Sequence, residues 1–289
     1  KEFSIRSTTE HTHTFTAEQL VELATLMAKA LNALYSEYWS YKNALYECKT
    51  KEEINMGTSQ SFKIKSSPNW SKAKRAMTHL STPGNMTEAN ATRFLGHFGR
   101  AAGESRTFGR AGSATASNFI EFIGNVRNLG WEDVIRQVEP DTDLQALTAE
   151  EFLELLLKLC CDNDSDLDDQ AANVAFEKLE AEIQGNLNTA QEIGELIENA
   201  TEEQVLEWVG DFYVDYIMEV FNELYYTHLD ERGVIPEDVM DGLRDYVMTS
   251  VNELLLERPD DLNIFSEEGR DFVNGLLDDL NEQWEQSLE

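Results

Sequence analysis

Phe-Gly-Arg-Ala occurs twice within a short stretch of the chain, at residues 98–101 and again at residues 108–111. Glycine amides and arginine guanidinium groups both bind phosphate in proteins, so the first chemistry to consider is a phosphate-binding loop. The second copy continues as Gly-Arg-Ala-Gly-Ser, but it has no lysine ahead of a serine or threonine at the required offset. No β-strand is predicted to lead into it. These glycines are better explained as residues at which helices begin or end than as a nucleotide-binding loop.

Arginines that alternate with phenylalanines can also bind nucleic acid, through phosphate contacts and base stacking. The candidate contacts are the basic residues of this region, namely Lys72, Lys74, Arg75, Arg93, Arg100, Arg106 and Arg110. The positive charge is modest, however, and an acidic protein surface is an equally suitable partner for it. The sequence favours the protein partner and leaves nucleic acid as the alternative.

Other side chains with chemical potential do not combine into a recognisable site. The acidic run at residues 162–168 resembles the start of a calcium loop, but Leu167 and Asn173 stand where glycine and glutamate are needed. The five histidines are scattered without metal-ligand spacing. Cys160 and Cys161 follow an apolar helix and are expected to be buried thiols. We therefore predict no metal and no cofactor, and no catalytic set can be proposed from these residues.

Charge is distributed very unevenly along the 289 residues, whose formal net charge is −32. Residues 1–55 have a net charge of −2, residues 56–136 of +6, and residues 137–289 of −36. Such asymmetry indicates segments with different partners, and the oppositely charged segments should attract one another. An odd count of three cysteines, two of them adjacent, favours a reducing compartment, and we expect a cytoplasmic protein.

Apolar residues recur at three- and four-residue steps through most of the chain, which predicts an all-α fold, a helical bundle with a glycine-rich basic segment. Cap signals mark several helix starts, including Thr148 with Glu151, Thr201, Pro236 and Ser266. The predicted helices cover residues 16–48, 71–80, 87–101, 113–129, 131–138, 150–160, 168–183, 189–200, 201–226, 236–258 and 266–284. Gly103 is expected to end the helix that begins near residue 87.

These features predict three parts: an N-terminal helical extension at residues 1–55, a basic Gly/Arg-rich segment with short helices at residues 56–136, and an acidic helical bundle at residues 137–289. The middle part contains most of the basic charge together with glycine, serine and proline, so we expect it to be loosely built. No apolar run is long enough to cross a membrane, and no membrane contact is expected.

The order of two motifs resembles a known family. Residues 56–70 read MGTSQSFKIKSSPNW, and residues 98–131 contain the Gly-Arg-Ala-Gly-Ser run; acidic helices follow both. This order is similar to that of QatB, the B component family of the Qat anti-phage defence system. The resemblance covers residues 56–289, while residues 1–55 precede the first motif and have no counterpart in it.

The resemblance implies a non-enzymatic binding or scaffold subunit of an antiviral complex. The implied partners are a QueC-like enzyme (QatC), an ATPase (QatA) and a TatD-like nuclease (QatD). QueC-type enzymes make a deazaguanine nitrile, so a relative of them needs an amine-bearing substrate or partner. If translation began at Met56, removal of methionine would leave Gly57 with a free amine, which makes Gly57 a candidate modification site. The expected partner-binding residues are Met56, Gly57, Thr58, Ser59, Arg93, Arg100, Arg106 and Arg110.

Overall fold

The computed structural model describes residues 2–6, 12–16, 67–105, 108–144, 146–161, 166–259 and 261–288. Two compact units divide the chain, residues 1–63 and residues 64–289. The predicted helix at residues 16–48 and the run from Met56 to Ser66 lie outside the described residues. The division into three parts by charge stays a prediction.

The described part of the first unit is a β-hairpin. Strand β1 (Glu2–Arg6) pairs with β2 (Thr12–Thr16) in antiparallel register, with Phe3 opposite Phe15. The sequence reading did not predict these strands. Alternation of polar and apolar residues over five positions is a weak signal.

The second unit is all-α in its described residues, which confirms the predicted fold class. Its helices are α1 (Pro68–Leu80), α2 (Glu88–Ser105), α3 (Arg110–Leu129), α4 (Trp131–Val138), α5 (Ala149–Cys160), α6 (Leu167–Gln184), α7 (Ala190–Glu198), α8 (Glu202–Asp230), α9 (Pro236–Leu256) and α10 (Glu267–Gln286). The predicted caps at Thr148, Thr201 and Ser266 are confirmed, because each side chain accepts a hydrogen bond from a backbone N–H in the first turn. Pro236 occupies the first turn of α9, as predicted.

Helix α8 is the centre of the core. It is the longest helix of the described residues, and its buried residues cover almost its whole circumference, from Val205 to Leu229. Helices α6 and α9 pack on it, while α1, α2, α3 and α10 surround its aromatic residues. Phe94 and Phe98 of α2 both meet Phe221 of α8 edge-on, with ring centroids 5.2 and 4.8 Å apart. Buried aromatic pairs of this geometry add to the stability that apolar burial provides.

The basic region is not loosely built where the structure describes it, so that expectation was wrong. Helix α1 begins at Pro68 rather than residue 71, since Ser67 caps it and proline suits the first turn. Helix α2 continues past Gly103 to Ser105. The Trp70 ring contacts the rings of Phe98 and Phe108 edge-to-face, with centroids 5.7 and 6.0 Å apart. Apolar residues inside the basic region, rather than its charge, determine its packing.

Gly99 permits the close contact between α2 and α10. A β-carbon at this position would lie 2.6 Å from the backbone oxygen of Asn281, and one at Gly96 would lie 2.7 Å from that of Trp284. Backbone atoms cannot rotate away as a side chain can. The glycine of the first Phe-Gly-Arg-Ala copy is therefore required by helix packing.

Two alanine substitutions in α2 should have opposite effects. Gly99→Ala is expected to lower the free energy of unfolding by about 1–3 kcal/mol, because the two helices must separate. Gly103→Ala is the matched control: nothing lies within 4 Å of its added methyl group, so it should stabilise the protein by up to about 1 kcal/mol. Urea unfolding of both variants measures the difference. A stabilising Gly99→Ala would contradict the close contact.

Candidate functional site: the glycine–arginine motif and the basic clefts

The second Phe-Gly-Arg-Ala copy forms the amino end of α3, and a buried carboxylate caps it. Gly109 has a φ of +108° and provides no side-chain cap. The two carboxylate oxygens of Asp168, a residue of α6 that is 3% exposed, accept hydrogen bonds from Gly109 N at 3.0 Å and Ala111 N at 2.7 Å. The positive end of a helix dipole stabilises an anion at this position. An internal carboxylate thus occupies the place that a phosphate would take.

Tyr216 of α8 also bonds to Asp168, and we call this hydrogen-bonded group at the start of α3 the Asp168 anchor. Its hydroxyl donates to Asp168 Oδ1 and accepts from Gly109 N at 2.8 Å. Burial and the neighbouring Asp168 carboxylate raise the pKa of Tyr216 well above its usual value, so the phenol stays protonated and remains a donor. A β-carbon at Gly112 would lie 2.8 Å from the tyrosine ring. The glycine–arginine motif therefore joins α3 to α6 and α8.

Arg110 lies on the outside of the same anchor. Its guanidinium donates to Asp169 Oδ1 at 2.9 Å and lies 3.7 Å from Asp166 Oδ2. The Arg110 side chain is 55% exposed, whereas that of Asp169 is 1% exposed. Arg110 neutralises a buried carboxylate while part of its surface stays accessible to a partner.

Arg93 and Arg100, both of α2, line one hollow with residues after α10. The hollow measures about 680 Å³ and includes His97, Ser287 and Leu288 in its lining. Arg100 donates to Glu285 Oε1 at 2.9 Å, and both side chains are partly exposed. Arg93 is exposed and forms no ion pair with any carboxylate of the described residues. We call this the α2–α10 hollow.

A second cleft lies between α1 and α2. It measures about 250 Å³ and is lined by Lys72, Arg75, Ala76, His79, Asn90, Arg93 and His97. Residues 72, 75, 76 and 79 share one face of α1, and residues 90, 93 and 97 share one face of α2. The turn between the helices is held by Asn85, which donates to His79 O at 3.1 Å, and by Asn90, which donates to Asn85 O at 2.8 Å. We call this the α1–α2 cleft; no carboxylate is among its lining residues.

His97 lines both clefts, and its pKa reflects the positive charge around them. Its pKa is lowered, first by burial of the ring and then by the positive charges of Arg93, Lys72 and Arg100. Its Nδ1 atom is buried without a hydrogen-bond partner among the described residues. Because the His97 ring lies in a positive potential, a bound anion would raise its pKa.

The structure brings together only some of the predicted site residues. Arg93 and Arg100 share the α2–α10 hollow, whereas Arg110 caps the Asp168 anchor at the start of α3. The run Met56-Gly57-Thr58-Ser59 and Arg106 lie outside the described residues. Lys72 and Arg75 of the α1–α2 cleft were predicted only as nucleic-acid contacts, and its His79 and His97 were not predicted as contacts. Their spacing of three and four residues on each helix was the available signal.

The remaining candidate residues have structural surroundings. Asp166 caps α6 by accepting from Asp169 N at 2.9 Å, and Asp168 belongs to the α3 anchor, while residues 162–165 of the calcium-like run lie outside the described part. Cys160 and Cys161 are buried, as expected, and neither forms a disulfide within the described residues. In the part of the chain that the structure describes, no group of three histidine, cysteine, aspartate or glutamate residues could hold a metal ion. None of the described helices is long and apolar enough to cross a bilayer.

Taken together, the described residues within 64–289 form an acidic helical unit in which Lys72, Arg75, Arg93 and Arg100 line two clefts along α2. Residues 99–280 match the family described as Qat anti-phage system associated protein QatB. Because this match spans more than half of the chain, the chain belongs to the QatB family and is a component of an anti-phage defence system. The comparisons with curated proteins and with solved structures gave no match.

Proposed function

We propose that this chain is a non-enzymatic binding and scaffold subunit of its defence system, with a QueC-like enzyme as its direct partner. The observation that carries the proposal is the α2–α10 hollow, which presents Arg93 and Arg100 on the surface of a protein with net charge −32. Helix α2 fixes the backbone of both arginines, so little backbone freedom is lost when a partner binds.

The Met56–Ser59 run is proposed to be the second contact with that enzyme, and Gly57 its acceptor amine. In the sequence this run stands shortly before α1, whose basic residues are followed by those of α2. A chain that starts at Met56 would expose the Gly57 amine after methionine removal. The ATPase and the nuclease are proposed as further members of the same complex.

Replacing Arg93 and Arg100 together by alanine is expected to weaken capture of the QueC-like enzyme at least tenfold, because charged contacts at an interface contribute both affinity and specificity. Co-purification of the tagged full chain with the products of the neighbouring genes measures this. The control is Arg136→Ala with Arg232→Ala, which removes the same charge from exposed sites outside the hollow. Equal capture by both double variants would contradict the proposed interface.

Intact-mass measurement of the native protein tests the Gly57 proposal separately. Co-expression with the QueC-like enzyme should add mass to a chain that begins at Gly57. An unmodified Gly57 terminus in the presence of the active enzyme would rule out this role, while capture of the enzyme would still support the scaffold role.

Nucleic-acid binding by the Gly/Arg-rich segment was the alternative prediction. Arg100 and Arg110 both have carboxylate partners, Glu285 and Asp169, which a phosphate backbone would have to displace. This favours a protein partner for these two arginines.

A further inference from the structure

The cationic residues of the α1–α2 cleft have no internal counter-charge. Lys72, Arg75 and Arg93 form no ion pair with carboxylates of the described residues, although the chain contains 55 aspartates and glutamates. Several other cations have such a partner: Lys178 lies 2.5 Å from Glu219, Arg244 2.7 Å from Asp215 and Arg270 2.7 Å from Glu121. Others, such as Lys158 and Arg232, form no ion pair with a carboxylate of the described residues, so the cleft is distinguished by the three such cations that line one concave space.

The geometry of the cleft selects the class of anion. Three full charges and two imidazoles converge from two helices on a volume of about 250 Å³. This volume is suited to a compact anion with several oxygens, and the lining contains no phenylalanine, tyrosine or tryptophan to hold a large apolar group. Arginine guanidinium groups bind phosphate oxygens in pairs, and lysine adds a point charge.

From these observations we propose that the α1–α2 cleft is a phosphate-binding site for a diphosphate-bearing ligand, with Lys72, Arg75 and Arg93 as its charged contacts and His79 and His97 as its hydrogen-bond donors. Recognition is through the phosphates alone, so inorganic pyrophosphate is a sufficient probe. The proposal does not depend on the scaffold role, because it concerns the isolated chain.

Calorimetric titration of the full chain with inorganic pyrophosphate is the first experiment. Lys72→Ala with Arg75→Ala, which leaves Arg93 and the α2–α10 hollow intact, should weaken pyrophosphate binding at least tenfold. Arg136→Ala with Arg232→Ala is the matched control and should change the affinity less than twofold. All four residues are exposed, and thermal unfolding verifies that the variants are folded. No pyrophosphate binding by the unmodified chain, or equal loss in both double variants, would overturn the proposal.

A second readout uses His97 in the unmodified chain. Bound pyrophosphate should offset the positive potential of Lys72 and Arg93 and raise the pKa of His97, as followed by the imidazole signals in NMR. An unchanged His97 titration would overturn the assignment of the cleft.

Three further ligands separate the sources of the anion. ATP that competes with pyrophosphate supports a nucleotide ligand, and a thymidine oligonucleotide that competes at equal phosphate concentration supports a nucleic-acid phosphate. An oligonucleotide that binds while pyrophosphate does not would contradict a compact site. A glutamate heptapeptide that binds more tightly than pyrophosphate would instead assign the cleft to acidic protein.

Discussion

Replacing Asp168 by alanine is expected to lower the free energy of unfolding by about 3–5 kcal/mol, the largest effect of any single substitution considered for this protein. The buried carboxylate accepts from Gly109 N and Ala111 N and also bonds the Tyr216 hydroxyl. Its removal takes away both carboxylate oxygens, so Ala111 N and the Tyr216 hydroxyl lose their acceptor, while Gly109 N keeps only the Tyr216 oxygen. An unsatisfied buried polar group is costly. Urea unfolding followed by circular dichroism measures the loss.

Arg110→Ala is the matched control for Asp168→Ala. It removes the outer ion pair with Asp169 but leaves the hydrogen bonds of the α3 amino end intact. Because the Arg110 side chain is 55% exposed but that of Asp169 only 1%, the variant leaves one buried carboxylate without its cation, and the loss should be about 1–3 kcal/mol, below that of Asp168→Ala. Similar losses in the two variants would mean that the ion pair, and not the buried cap, joins α3 to α6.

Glu180 is expected to make stability fall as the pH rises. Burial, with a smaller contribution from the charge of Glu177, raises the pKa of Glu180 from its ordinary 4.5 to about 8. The folded protein therefore holds a proton that the unfolded chain releases between those values. The contribution of Glu180 is fully present below about pH 4.5 and declines by about 1.4 kcal/mol per pH unit up to about pH 8.

Glu180→Gln isolates this effect, because the amide has a similar shape and never ionises. The variant should match the unmodified protein near pH 5 and exceed it by several kcal/mol at pH 8.5, in urea unfolding at both pH values. Three other carboxyls, Glu182, Asp211 and Glu223, also have raised pKa values and remain in both proteins. Their contribution cancels in the comparison. An identical pH dependence for the two proteins would show that Glu180 is not protonated in the folded state.

The helices were predictable from sequence because their signals are local. Thr148, Thr201 and Ser266 determine where α5, α8 and α10 begin through contacts within one turn. The hairpin at residues 2–16 was missed since five-residue strands carry little periodicity.

The candidate site was less predictable because its partners are distant in sequence. Asp168 reads as one acidic residue of a charged run, and only the fold brings it to the amino end of α3. Gly99 and Gly109 appear equivalent in the two Phe-Gly-Arg-Ala copies. One is required by a backbone contact with Asn281, and the other by its positive φ. A repeated motif need not have a repeated role, since tertiary contacts determine what each copy does.

The glycine surface of α2 has a consequence for the protein while it is being synthesised. Gly96 and Gly99 fit against backbone atoms of α10, and the ribosome makes α10 long after α2. Until then, the apolar residues that α10 covers, such as Phe98, remain open on the nascent chain. The packing of α2 against α10 can therefore form only after α10 has been made, so this face of α2 stays uncovered in the meantime.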